Sequence, residues 1–129
     1  MKLILSTLLV LAGIALHAQK NTVVDTLWVN GLCGMCEERI EKAMDTKGVI
    51  TADYDHHTKL LALVYNSKKI SEDKIHALLY AVGHDTEKGK APDDVYANMH
   101  GCCKYREPGS TGCSDGHKHT NEDHGDDEH

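Results

Sequence analysis

From Gly109 to His129 the chain carries no aliphatic residue. It has instead six acids (Asp115, Glu122, Asp123, Asp126, Asp127 and Glu128), one lysine, and four of the ten histidines. A stretch of this composition has no apolar surface whose burial could offset the entropy of ordering it, so residues 109–129 are expected to be a disordered His/Asp-rich tail. The fold must be made from what precedes. The tail also holds −5 of the formal charge of −6, leaving the rest nearly neutral, without the basic field that a nucleic-acid partner requires.

The other end shortens the foldable part again. Lys2, the apolar run 3–16 and the small residue Ala18 have the layout of a cleaved secretory signal peptide over residues 1–18. The run is short for a membrane span and polar Gln19, Lys20 and Asn21 come after it, so an exported chain that does not span the membrane, periplasmic or secreted, is expected. The 111 residues that stay make one modest domain, too few for a two-domain enzyme around a large cleft.

Periodicity divides that domain. Residues 22–29 are β-branched and apolar and end at the turn pair Asn30-Gly31, which predicts a strand. From Cys36 the apolar positions Ile40, Ala43 and Met44 recur at helical spacing among charged neighbours, with Lys47-Gly48 as the stop. Residues 49–53 and 59–65 flank the polar tip Asp55-His56-His57 as a hairpin does. Ser71 caps a second helix with the stripe Ile75, Leu78, Leu79 and Val82, ended by Gly83. Residues 85–90 complete the order as a fourth strand, and Pro92 with Asp93 and Asp94 opens a short helix reaching Met99. Strand, helix, strand, strand, helix, strand is an α+β, ferredoxin-like βαββαβ sandwich, one antiparallel sheet in the order 4-1-3-2 backed by two helices. Its topology gathers the loops 31–35, 54–58 and 83–85 at one end of the sheet.

Cys33-Gly34-Met35-Cys36 lies at that end, where strand gives way to helix. Unpaired amides and the positive end of the helix dipole favour the thiolate, the form that binds metal. Two thiolates three residues apart suit a soft ion that wants few ligands, such as Cu(I), and not Ca²⁺ or Mg²⁺, which take oxygen. At these residues the chain begins to resemble a known family. Residues 29–36 (VNGLCGMC), the helix, the Gly48-Val49 turn, the hairpin and Val82-Gly83-His84-Asp85 are together similar to the heavy-metal-associated domain of copper chaperones, metal-pump N-terminal domains and a periplasmic mercury-binding protein. The resemblance covers residues 22–90. It implies the ferredoxin-like fold, soft-metal binding at Cys33 and Cys36 with Cu(I) first and Hg(II) or Zn(II) after it, and a partner that is a metal-transporting ATPase, another membrane metal transporter, or another Cys-x-x-Cys carrier. The loop is one residue shorter than the family's Gly-Met-x-Cys-x-x-Cys, and Leu32 stands as its apolar anchor.

Other readings of the same cysteines are a structural disulfide, a thiol-disulfide oxidoreductase, and a non-catalytic metal sensor or adaptor for a membrane transporter. Insulin reduction and metal stoichiometry separate them. In the binding reading no substrate bond is made or broken, and the chain is not an enzyme. His84 is either a solvated turn residue or a contributor to the metal site. His56 and His57 are expected at an exposed hairpin tip, Met35 over the loop or against a partner, and Met44 in the core. His117 and His119, with His124 and His129, form a weak accessory site for borderline cations or a solubilising end.

Residues 91–108 add a short helix and the Cys102-Cys103 pair to the domain. Adjacent residues have Cα atoms about 3.8 Å apart, below the disulfide range of roughly 4.4 to 6.8 Å, so these two do not readily pair with each other. One of them is expected to pair with Cys113. The other is then left to supply a third ligand, for which both Cys102 and Cys103 are candidates, or to bridge two molecules; the alternative is that Cys102, Cys103 and Cys113 are all unpaired in a loose tail that the metal ignores.

Overall fold

The computed structural model describes residues 21–112. The expected signal peptide 1–18 and, of the tail, residues 113–129 with Cys113, His117 and His119 lie outside the described residues. Strand β1 (Thr22–Trp28) is followed by helix α1 (Gly34–Met44), the hairpin β2 (Val49–Asp55) and β3 (Leu60–Asn66), and helix α2 (Glu72–Ala81). Beyond them come a short helix α3 (Asp93–Ala97) and a single 3₁₀ turn (Gly101–Cys103). Among the described residues no helix is long and apolar enough to cross a membrane.

The sheet is antiparallel in the order β1-β3-β2, with Leu27 opposite Leu61 and Tyr54 opposite the same Leu61. One face of each strand points inward at period two, and α1 and α2 cover it. Leu27, Ile40, Met44, Leu61, Leu63, Ile75 and Leu79 are buried there as one apolar core. Ser71 caps α2 as the sequence suggests, its Oγ accepting from the Lys74 amide at 3.2 Å. This is the expected α+β, ferredoxin-like sandwich.

Several boundaries differ from expectation: α3 ends at Ala97, short of Met99, and β2 runs on to Asp55. Helix α1 stops at Met44, ahead of Lys47-Gly48, and Gly48, at φ +109°, instead turns the chain into β2. The fourth strand, expected over 85–90, is reduced to a bridge between Val29 and Thr86. The Asn30 amide donates to the Asp85 carbonyl at 2.8 Å and the Glu87 amide to that of Trp28 at 3.3 Å, on the β1 edge where strand four belongs. Thr86 and Gly89 then exchange backbone hydrogen bonds with each other, at 2.9 and 3.2 Å. That turn consumes the groups a ladder would need and carries the chain away from the sheet.

After the turn, an extension spanning residues 91–112 folds back over the end of the sheet where loop 31–35 lies. Tyr105 Oη donates to the Gly83 carbonyl at 2.6 Å and accepts from the Asp85 amide at 2.8 Å. The Arg106 guanidinium meets both Asp85 carboxylate oxygens, at 3.0 and 2.5 Å, and donates to the Ala91 carbonyl at 2.9 Å. It also lies over the Tyr96 ring, 4.1 Å from its centroid. Gly83 has φ +92°, and a Cβ there would run into Met99 Sδ. Only glycine permits both that turn and that contact.

Candidate metal centre

Helix α1 begins at the cysteines. Cys33 is its N-cap in extended conformation, and its carbonyl accepts from the Cys36 and Glu37 amides at 2.9 and 3.1 Å. Both side chains face inward: Cys33 is 2% exposed and Cys36 is fully buried. Tyr54 lies beneath the loop with its hydroxyl donating to the Val29 carbonyl at 2.9 Å. Burial raises the pKa of that hydroxyl, and the nearby Cys36 adds to the effect.

The third sulfur comes from the extension. Cys103 ends the 3₁₀ turn, fully buried, in a cluster with Cys33, Cys36, Tyr96 and Met99. The Sγ atoms of Cys33, Cys36 and Cys103 all lie within 4.8 Å of one another. Burial, a hydrogen bond shared with Cys36, and the neighbouring cysteine sulfurs push the Cys103 thiol up to about 12. A cation among the sulfurs would reverse that electrostatic balance.

Cys102 has a different fate from its neighbour: it is disulfide-bonded. A disulfide sulfur has no thiolate to give, so of the two candidates for a third ligand only Cys103 stands in the thiol group. Cys102 Sγ instead lies 3.5 Å from Met35 Sδ and 3.1 Å from His100 Nδ1. The expected pairing with Cys113 falls outside the described residues. Gly112, the last residue described, has φ +80° and lies so close to the loop that a Cβ on it would stand 2.9 Å from the Leu32 carbonyl oxygen and 3.1 Å from Cys33 Cβ.

His84 is fully buried, not a solvated turn residue. Its ring stacks on Tyr105, centroids 5.9 Å apart, and its Nδ1 lies 2.8 Å from the Asn30 carbonyl oxygen, to which it donates. Burial lowers its pKa to about 4, with the Asn30 carbonyl opposing the change and Arg39 reinforcing it, so the imidazole is neutral at pH 7. Nε2 is buried and has no hydrogen-bond partner among the described residues. His84 is nevertheless not a member of the group whose ligand atoms are all mutually within 4.8 Å. It supports the loop through Asn30. At the hairpin tip, His56 Nδ1 lies 2.7 Å from Glu37 Oε2 and the His57 ring centroid is 4.1 Å from that of His56. Met35 is 42% exposed on the outer side of the loop and Met44 is buried in the core.

Sequence reasoning misses Tyr54, Tyr105 and Arg106 as parts of this end of the molecule. The apolar and aromatic density of Val95, Tyr96, Met99 and Tyr105 beside the Cys102-Cys103 pair is the one signal that the extension packs somewhere. Nothing in it says where.

No protein-family model matches the chain, and no curated protein matches it either. Among solved structures the chain is similar to a CopZ metallochaperone, at 24% identity and a TM-score of 0.48, over 50% of this chain and 98% of the other. It is similar to a putative copper-ion-binding protein from Bacillus anthracis str. Ames, at 24% identity and a TM-score of 0.49, over 51% of this chain and 96% of the other. A third similar structure is oxidized MerP from Ralstonia metallidurans CH34, at 18% identity and a TM-score of 0.43, over 50% of this chain and 99% of the other.

Proposed function

We propose that this chain is an exported carrier that binds one soft metal ion through the thiolates of Cys33 and Cys36 and passes it on by thiolate exchange, with Cu(I) as the first cargo and Hg(II) as the second. The observation that carries the proposal is the buried sulfur group at the N-terminus of α1, in which the ligand atoms are sulfurs and no carboxylate takes part. Sulfur selects soft ions, and burial excludes the water that hard ions keep. Zn(II) fits less well because a structural site for it closes with four ligands. In exchange, a cysteine of the partner attacks the ion, a further metal–sulfur bond forms, and a sulfur of this chain leaves with the proton the incoming thiol gave up. The metal keeps its oxidation state. The partner is a metal-transporting ATPase, another membrane transporter or another Cys-x-x-Cys carrier, and the place of action is the periplasm or the exterior. His117 and His119 are a weak accessory site for borderline cations.

The test is substitution of the pair. Cys33→Ser and Cys36→Ser should each lose at least about 100-fold in Cu(I) affinity against a competing chelator, because a hydroxyl is a poor soft ligand. The circular dichroism spectrum should not change, since both residues lie at the end of the sheet and outside its apolar core. An unchanged affinity in either variant would sink the proposal.

A further inference from the structure

A carrier with an open Cys-x-x-Cys loop has no use for two features found here: a third sulfur in the group, and a segment that covers it. Both belong to the extension. We propose that residues 91–112 form a lid that turns the cysteine pair into a closed three-thiolate cage, in which Cys103 is the third ligand and the first sulfur to leave when the ion is passed on. This rests on the soft-metal reading of Cys33 and Cys36.

The geometry suits one ion. With metal–sulfur bonds of about 2.3 Å, a trigonal ion sets its sulfurs about 4.0 Å apart. The three Sγ atoms are already within 4.8 Å of one another, so closing on the ion takes side-chain adjustments below an ångström. Loading replaces three thiol protons by three metal–sulfur bonds, and no electron is transferred. The cargo class narrows accordingly to ions that accept three thiolates and nothing else, Cu(I) and Hg(II).

The lid is fastened by groups other than its own sulfur. Tyr105 and Arg106 hold it to Gly83 and Asp85, and Met99 lies on the bare α-carbon of Gly83. Cys33 is 2% exposed and Cys36 and Cys103 are fully buried, so an incoming thiolate has no approach while the lid is docked. Because Cys103 is part of the lid, lifting it breaks one metal–sulfur bond and uncovers the ion in a single movement. The incoming thiol gives its proton to the departing Cys103 thiolate, its sulfur takes the vacated position, and three-coordination is restored. Such a cage retains its ion against small thiols and releases it to a partner that displaces the lid.

The experiment uses the full chain loaded anaerobically with one equivalent of Cu(I), as wild type, Cys103→Ser and Tyr105→Phe. X-ray absorption counts the sulfur neighbours, and a small dithiol measures the rate at which copper is extracted. The wild type and Tyr105→Phe should show three sulfurs and Cys103→Ser two. Extraction should be roughly tenfold faster from Cys103→Ser, and faster also from Tyr105→Phe, which keeps every thiol and loses only a fastening of the lid. The same two-sulfur shell in wild type and Cys103→Ser would overturn the cage and leave the cysteine pair standing. Extraction rates equal in all three proteins would overturn the lid. A chain that takes up no copper would overturn the carrier itself and the cage with it.

Discussion

The sandwich and the extension that covers its end are built by different physics. Between β1 and α2 the stabilising contacts are aliphatic: Leu61, Leu63, Ile40, Ile75 and Leu79 are all 1% exposed or less, and their burial is non-directional and shared among many neighbours. In residues 91–112 a small apolar cluster, Tyr96 and Met99 packed around the sulfurs, is joined by directional contacts: a guanidinium on a carboxylate, and a phenol on a carbonyl and an amide. The first kind fails globally when it fails. The second lies outside the aliphatic core, so the lid proposed above releases as a unit while that core stays intact. A rigid scaffold thus presents two sulfurs, and a detachable segment presents the third.

The largest break in this contrast should come from the scaffold. Leu61→Ala, at a position with no exposure between β1 and β2, should cost about 2–5 kcal/mol in urea unfolding, with the loss seen equally by probes in the sheet and in the extension. A loss confined to one region would mean that the core does not unfold as one unit.

The next effect sits at the junction. His84 is neutral when folded and titrates near 4, whereas in the unfolded chain it titrates near the ordinary value of 6.5. The unfolded state therefore gains a proton first as pH falls, so stability contributed by His84 is fully present above 6.5 and is lost between 6.5 and 4. The whole loss is on the order of 3 kcal/mol. Denaturant midpoints taken across that interval should fall in the wild type and fall less in His84→Gln. Equal slopes would show that the buried imidazole is not their source.

The smallest effect should be the most local. Arg106→Ala removes hydrogen bonds from Asp85 and should cost about 1–3 kcal/mol. Amide exchange should accelerate over residues 93–106 and hardly change in β1 to β3. Acid should act similarly. Burial works to raise the Asp85 pKa, but Arg106 and the Ala91 amide overcome it and hold the carboxyl below its usual range. Its contribution is therefore present above about 3.9 and is lost as pH falls through the lower folded value.

The same division explains what is visible in the sequence. The apolar run of β3 and the Ile75-Leu78-Leu79 stripe of α2 announce themselves, because apolar burial marks the chain locally, although which side of β3 faces inward is not visible in a run that is apolar throughout. So does Ser71, whose cap is local. The fourth strand is shorter than its sequence suggests because Thr86 and Gly89 satisfy each other, a choice between two hydrogen-bond partners that composition does not reveal. The burial of His84 is not legible, since the aromatic ring that covers it, Tyr105, is 21 residues away in a segment with no period. That Cys102 and Cys103 have separate fates is a consequence of peptide geometry. Which of the two joins Cys33 and Cys36 depends on contacts made by Met99, Tyr105 and Arg106, and these are legible only in three dimensions.

Native mass spectrometry of the chain lacking residues 1–18, with Cu(I), Zn(II) and Hg(II) in competition, tests the central claim most directly. One soft ion per chain, Cu(I) in place of Zn(II) and displaced only by Hg(II), is the predicted result. Retention of Zn(II) over Cu(I), or a chain that stays free of metal while all three ions are present, would contradict it.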